Sequence, residues 1–401
     1  MRILIYAKRD SLQNTGGPSG YLYNISEYLK EHPNDSISFI DSSKLQYTRW
    51  CRFKKFIIDA LTSLSKNIAP LHLLVCCYNM YYFKYSFTEQ TIEYLNSFEA
   101  IHLHSSIDLR KSFQTNKVRA KLIVTTHCPE PVVDELFGGH NKQEWLDKHR
   151  SLRDCLLKRE LMAYELCDNI MFPVPQAREP YEKASDVYKQ KFAELNNKFF
   201  YVPTALGSVE MVTDNDHKLD VLNFPSDALR LCYVGRHTQV KGYDFLKRGA
   251  KKVLESIPEA RFIIGGTEAP LKRLDDPRWI ELGWVNTAKL LNEVDAFILP
   301  NRDTYFDLIL LEVLRQGTPV LLSRTGGNKW FEGKQLGGLK FFEYGNEDEL
   351  VACVREIQQI KNEGKLEKIK QQSREFCQQE FNMGLYIKRY IENIQSKITL
   401  R

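Results

Sequence analysis

The sequence has no Cys-x-x-Cys pair, although nine cysteines are scattered along its 401 residues. Without paired spacings, a zinc ribbon or a disulfide framework has nothing to build on, and the pattern suits reduced thiols in a cytosol. No apolar run reaches the roughly 18 residues that a bilayer span requires. The greasiest, "PLHLLVCCYNMYYF", is interrupted by His72 and Asn79. The N-terminus, "MRILIYAKRD", is charged too early for a signal peptide, so a cytoplasmic location is expected. No Gly-x-Gly-x-x-Gly follows any apolar run, which excludes the usual dinucleotide fingerprint. Low-complexity tracts and internal sequence repeats are also missing. The formal charge is only +5. It fits an anionic small molecule or membrane surface better than a dedicated nucleic-acid binder.

Present throughout are short β-rich runs alternating with helical stretches. Hydrophobic residues make up 43% and charged residues 27%, as in soluble globular chains. The first half offers strands at 2–7, 37–41, 100–104, 121–126, 169–173 and 199–203. The second offers 229–234, 261–266, 279–284, 296–300, 319–323 and 339–342. Runs apolar on both faces and separated by helices predict buried parallel strands. Two such series predict two α/β, Rossmann-like doubly wound domains facing across a cleft. The expected division is 1–206, a polar linker at 207–228, 229–380, and a C-terminal helix at 381–401 that packs back on the first domain. The "DND" at 214–216 falls in that linker and reads as a solvated turn rather than a metal site.

Ligands of open α/β sheets bind beyond the carboxyl ends of the strands, so the residues there were read for chemistry. In "YVGRHTQVKG", Arg236 and Lys241 sit between a strand and the start of a helix. Two cations beside free N–H groups suit a diphosphate, although a solvated basic turn has the same local pattern. Gly16 and Gly17, in "NTGGPSG", precede a helix and either admit an anion to the backbone or form a plain tight turn. His127 follows "KLIVTT" in a loop stiffened by Pro129 and Pro131. It is placed to hydrogen-bond a sugar hydroxyl or leaving phosphate, with a backbone-bonded structural histidine as the alternative. In "DLILLEVLRQ", Glu312 is an acid in a greasy helix. A ribose diol would satisfy it, as would an ion pair with Arg315. Gly326 and Gly327, after "PVLLS", would let a pyrophosphate or hexose approach the backbone. Residues 47–68 interleave five cations with aromatic and aliphatic residues. They form either an anionic-membrane contact or an ordinary core-facing helix with a basic back.

Together these features resemble the retaining glycosyltransferases of family 4, which have the GT-B fold. "VGRHTQVKG" is similar to that family's Gly-Arg…Lys-Gly signature, which implies that Gly235, Arg236 and Lys241 meet the donor diphosphate. "DTYFDLILLEVLRQGTPVLLSRTGG" resembles its two-glutamate segment, with Glu312 as the ribose-holding second acid. The resemblance also implies sugar contacts at Asp303, Thr304, Phe306, Asp307 and Leu308, phosphate or sugar contacts at Gly326 and Gly327, and a base frame at the strand and turn around Gly283 to Val285. The "GGPSG" loop and His127 match further family positions. Two departures stand out. The first motif glutamate is Thr304, leaving Asp303 or Asp307 as substitutes, and the usual Asn-Gly after the last N-domain strand is "PTALG".

The implied activity moves a sugar with retention from a UDP- or GDP-linked donor to a glycan or lipid-linked acceptor, in bacterial surface polysaccharide synthesis. It would proceed without a metal or other cofactor, at the inner face of the plasma membrane. A catalytically silent GT-B subunit and a nucleotide-sugar epimerase are the rival readings.

Overall fold

The computed structural model describes residues 1–13, 17–138, 142–207, 224–225, 227–267 and 270–399. Gly16, the "DND" triplet and most of the 207–228 linker lie outside the described residues. The chain forms two compact units. The first comprises Met1–Phe172, Tyr181–Val202 and Ile387–Arg401, and the second Pro173–Pro180 and Pro203–Tyr386.

The first unit holds a six-stranded parallel sheet. Its strands are β1 (Ile3–Ile5), β2 (Ile37–Phe39), β3 (Ala100–Leu103), β4 (Lys121–Val124), β5 (Asn169–Phe172) and β6 (Phe199–Tyr201), in the order β2-β1-β3-β4-β5-β6. Strands β1, β3 and β5 are buried along their whole length, whereas the edge strand β2 buries only its first residue fully. That gradient follows from parallel pairing, because helices cover both faces of the central strands. The C-terminal helix Met383–Thr399 supplies Tyr390, whose hydroxyl lies 2.9 Å from His102 Nδ1 within this unit.

The second unit repeats the plan with β7 (Leu229–Val234), β8 (Ala260–Gly265), β9 (Trp279–Gly283), β10 (Ala296–Leu299), β11 (Val320–Ser323) and β12 (Leu339–Phe342). Their order, β12-β11-β10-β7-β8-β9, is that of dinucleotide-binding sheets. The strand order reverses between β7 and β10, and chain ends beyond those two strands frame a crevice. The helix Tyr243–Ser256 packs Phe245, Leu246, Ala250 and Val253 against β7, β8 and the helix Glu347–Asn362. Burial of such side chains stabilises by about 1.5–3 kcal/mol each and fixes the helix whose start faces the crevice.

Candidate functional site

Most of the predicted donor residues of the second unit lie on three loops, those after β7, β10 and β11, with Glu312 in the helix that follows the second and Gly283 and Val285 at and beyond the end of β9. Gly242 presses the first loop onto the second. Its φ is +68°, and a Cβ there would stand 1.7 Å from the Pro300 carbonyl oxygen, so only glycine fits. Arg302 N–H donates to the Val240 carbonyl at 3.0 Å and ties the same two loops. The second and third loops are joined by Ser323 Oγ donating to the Asn301 carbonyl at 2.6 Å and Thr325 Oγ1 donating to the Arg302 carbonyl at 3.0 Å.

Beneath the first loop lies a polar network. His237 is buried and stacks on Tyr243 with ring centroids 3.9 Å apart. Glu281 Oε1 accepts from both Tyr243 Oη and Trp279 Nε1 at 2.7 Å. Sequence reading missed this support, because its members are scattered over 45 residues. Tyr233 Oη donates to the Arg236 carbonyl at 2.8 Å and pins the turn from inside.

The two cations differ. Arg236 is exposed, and its side chain has no hydrogen bond or ion pair among the described residues. Lys241 is half-buried, and its Nζ lies 3.0 and 2.9 Å from the two carboxylate oxygens of Asp307. Asp307 also accepts from Asn301 Nδ2. Asp303 is held by Arg302 Nε at 2.9 Å. Both acids that stood as substitutes for the missing glutamate are therefore already paired with protein bases.

The helix Leu308–Gln316 follows, between Asp307 at its N-cap and Gly317 in the left-handed region at φ +84°. Asp307 caps with its backbone alone, since its side chain is spent on Lys241 and Asn301. The N–H groups of Phe306, Asp307, Leu308 and Ile309 donate to no described residue. Four free donors at the positive end of a nine-residue helix form a ready anion site.

Glu312 lies in the second turn of this helix, half-buried, with no hydrogen bond or ion pair among the described residues. Burial raises its pKa, and the Arg315 charge only partly opposes this. The ion pair with Arg315 left open by the sequence is not formed. Arg315 instead donates through Nη1 to the Gly207 carbonyl at 3.1 Å.

Several expectations need correction. The Thr304 side chain is fully buried and its hydroxyl has no hydrogen-bond partner among the described residues, so it is not presented to a sugar. The Phe306 ring packs on Trp330, Phe331 and Phe381, which leaves its backbone as the part that can meet a ligand. At Gly326 and Gly327 the close approach is to the chain itself. Added Cβ atoms would stand 2.1 Å from the carbonyl oxygens of Thr304 and Tyr305. The Gly235 N–H is taken by the Gly265 carbonyl at 3.2 Å. Val285 is buried against Gly265. Gly283, at φ +67° with open space around it, and Trp284, 84% exposed, remain at the rim beyond β9. Trp284 lies within the turn from Gly283 to Val285 that the resemblance assigned to the base.

In the first unit, His127 Nε2 lies 3.1 Å from His104 Nδ1, and Tyr21 packs 5.0 Å from the His127 ring. Burial lowers the His127 pKa to about 4 and that of His102 to about 3, so both imidazoles are neutral near pH 7. His127 is thus suited to a neutral hydrogen bond rather than to a charge. Gly17 opens the helix Gly17–Glu31 at φ +57°, with open space where a Cβ would stand. Among the described residues no group of three or more His, Cys, Asp or Glu side chains converges to hold a metal ion.

Residues 228–359, about a third of the chain, match the family model described as glycosyl transferases group 1. This part of the second unit is similar to the group 1 glycosyltransferases. An uncharacterized glycosyltransferase of Methanocaldococcus jannaschii is 31% identical over 112 residues. That match covers 25% of this chain and 28% of the relative's length. Among solved structures, sucrose-phosphate synthase from Thermosynechococcus elongatus matches with a TM-score of 0.63 at 14% identity, covering 100% of both chains. The catalytic domain of starch synthase IV from Arabidopsis thaliana, bound to ADP and acarbose, matches at 0.62 and 12%, covering 99% of both. Anabaena HepE in complex with UDP matches at 0.54 and 14%, covering 99% of this chain and 100% of that one. At these identities the likeness establishes the fold, which is GT-B. The group 1 glycosyltransferase match contains Arg236, Lys241 and Glu312 and stops short of the first unit's His127.

Proposed function

We propose that this group 1 glycosyltransferase moves a sugar from a nucleotide-diphosphate donor to a glycan or lipid-linked acceptor, with retention, during surface polysaccharide synthesis at an anionic membrane. The observation that carries the reading is Glu312, a half-buried acid one turn beyond four backbone N–H groups, none of which has a partner among the described residues. A ribose diol offers two O–H donors to that carboxylate, which would favour its charged form and offset the upward shift of its pKa. The diphosphate would lie across the helix start, with Arg236 closing on it as the free cation and Lys241 exchanging Asp307 for phosphate oxygens. Charge building on the departing diphosphate would be met by these fixed donors. Solved GT-B neighbours in complex with UDP, UDP-glucose and ADP support a nucleoside diphosphate as the leaving group. With the first motif glutamate replaced by a buried Thr304, contact to the sugar would pass to the backbone of 306–308.

A second reading has one observation in its favour. Asp303 and Asp307 are both ion-paired, so no free carboxylate stands at the position of the missing glutamate, as a silent donor-binding subunit would allow. One experiment separates the two. A panel of nucleotide sugars is screened by thermal stabilisation, and the best is then assayed for release of its nucleoside diphosphate with added glycan acceptors. The proposal expects turnover, with kcat/KM falling about 100-fold or more in Arg236→Ala, as for loss of one preorganised donor. Stabilisation without any turnover would favour the silent subunit.

A further inference from the structure

The first unit carries an apolar surface that nothing in the described chain covers. On the helix Arg49–Leu64 only Cys51 and Ile58 among the large apolar residues and cysteine turn fully inward, onto Phe83. Trp50, Phe53, Phe56, Ile57, Leu61 and Leu64 are exposed, Phe56 by 70% and Leu64 by 78%. The face continues through Ile68 to Leu71 and Leu74 on the helix Ala69–Cys77, and on to Tyr78. Soluble proteins rarely expose so continuous an apolar surface unless it meets something. Between the two helices runs an open groove of about 370 Å³, lined by Ile57, Ile58, Leu61, Leu74, Val75 and Tyr78, with Lys54 as its one charged side chain.

Charge decides what covers this face. From Ser42 to Thr88 the chain has seven basic residues and a single acid, Asp59, which is paired with Lys55. A second copy of the chain would bring two such basic faces together, so self-association is disfavoured. The cations also do not converge. Arg49, Arg52, Lys54, Lys55 and Lys66 are strung along a helix about 24 Å long and its following turn, by the helical rise per residue. One phosphorylated ligand would call for clustered bases, whereas a plane of headgroups calls for spread ones. No helix among the described residues is long and apolar enough to cross a membrane. We propose that this helix pair lies in the interface of an anionic bilayer, exposed side chains among the acyl chains and cations at the phosphates, and that the groove admits one acyl chain of a bilayer lipid.

The inference deepens the proposed function by fixing how the enzyme reaches a membrane, and rests on it only for the purpose of that contact. Its test involves no turnover. The full chain is sedimented with vesicles of phosphatidylcholine alone and of phosphatidylcholine mixed equally with phosphatidylglycerol. Wild type is expected to partition onto the mixed vesicles at least tenfold more strongly. The double variant Lys54→Glu, Lys55→Glu and the charge-preserving double variant Phe56→Ser, Leu64→Ser should each lose that preference tenfold or more. Both should retain the wild-type circular dichroism and nucleoside-diphosphate binding. For the groove, Leu74→Trp in an otherwise wild-type chain reports on vesicles whose acyl chains carry bromine, and quenching of its added fluorescence is expected. Absence of binding to mixed vesicles, equal binding by either variant, or a dimer in sedimentation equilibrium abolished by Phe56→Ser, Leu64→Ser would overturn the membrane face. An unquenched Leu74→Trp would overturn the acyl-chain groove. Loss of nucleoside-diphosphate binding in wild type would instead count against the donor site and leave this face standing.

Discussion

Asp307 is where this chain departs most tellingly from the pattern it resembles. Its carboxylate binds the Lys241 ammonium at 3.0 and 2.9 Å, and the pair spans 66 positions of sequence. The sequence showed both residues and proposed Lys241 for phosphate and Asp307 for the sugar. It could not show that they neutralise each other, because ion pairs between separate loops leave no periodic trace. Glu312 was legible for the opposite reason, since one acid in a leucine-rich turn is a local anomaly. The Lys241–Asp307 pair sets negative charge beside a site that must take a diphosphate. Replacing Asp307 with Asn removes that charge and frees the ammonium, so a nucleoside diphosphate should bind about tenfold more tightly at low ionic strength. Isothermal titration checks this, and weaker binding by the variant would mean that Asp307 chiefly positions Lys241.

At the scale of elements, the twelve apolar runs read from the sequence coincide with the twelve strands, most of them trimmed by one to three residues and β8 shifted by one. They were legible because parallel strands buried on both faces must be near-continuous in Ile, Val, Leu and Phe. The loops were less legible. Gly326 and Gly327 read as ligand approaches, yet they pack against the backbone of Thr304 and Tyr305. Their place is to let the loop after β11 support the turn that presents 306–309. A side chain at Gly326, which has φ +43°, meets the Thr304 carbonyl at 2.1 Å and forces that turn to shift. Gly326→Ala should lower stability by about 1–3 kcal/mol in urea titrations and weaken donor binding more than tenfold, although no ligand need touch residue 326. Unaltered donor affinity in a folded Gly326→Ala protein would separate this glycine from the site.

On the scale of the whole molecule, the first unit's buried histidines make stability depend on acid. The unfolded chain takes up protons near pH 6.5, whereas folded His127 and His102 resist them down to about 4 and about 3, and His104 resists them too. Protons therefore favour the unfolded state, and stability is lost as pH falls below 6.5. Buried Glu160 works the other way. Its carboxyl is raised from 4.5 to about 7, so it gains stability as pH falls through that window. Burial raises Asp108 and Glu312 in the same sense, but the three histidine shifts outweigh these acids, and the urea midpoint should drop from pH 6.5 to 4.5, by about 2 kcal/mol in unfolding free energy. A flat or rising midpoint would contradict the buried cluster.

The division of the chain was the least legible feature. Pro173–Pro180 belongs to the second unit although sequence order places it among the first unit's strands. Short excursions of that kind carry no compositional mark.

The central claim is that Glu312 holds a nucleotide ribose, and one titration tests it directly. The nucleoside diphosphate that stabilises the protein most is compared with its 2′,3′-dideoxy analogue, in wild type and in Glu312→Ala. Hydrogen bonds to a charged group contribute about 1.5–3 kcal/mol, so wild type should prefer the ribonucleotide by roughly tenfold to a hundredfold. The variant should bind both ligands alike. Equal affinity in wild type, or an undiminished preference in Glu312→Ala, would contradict the account.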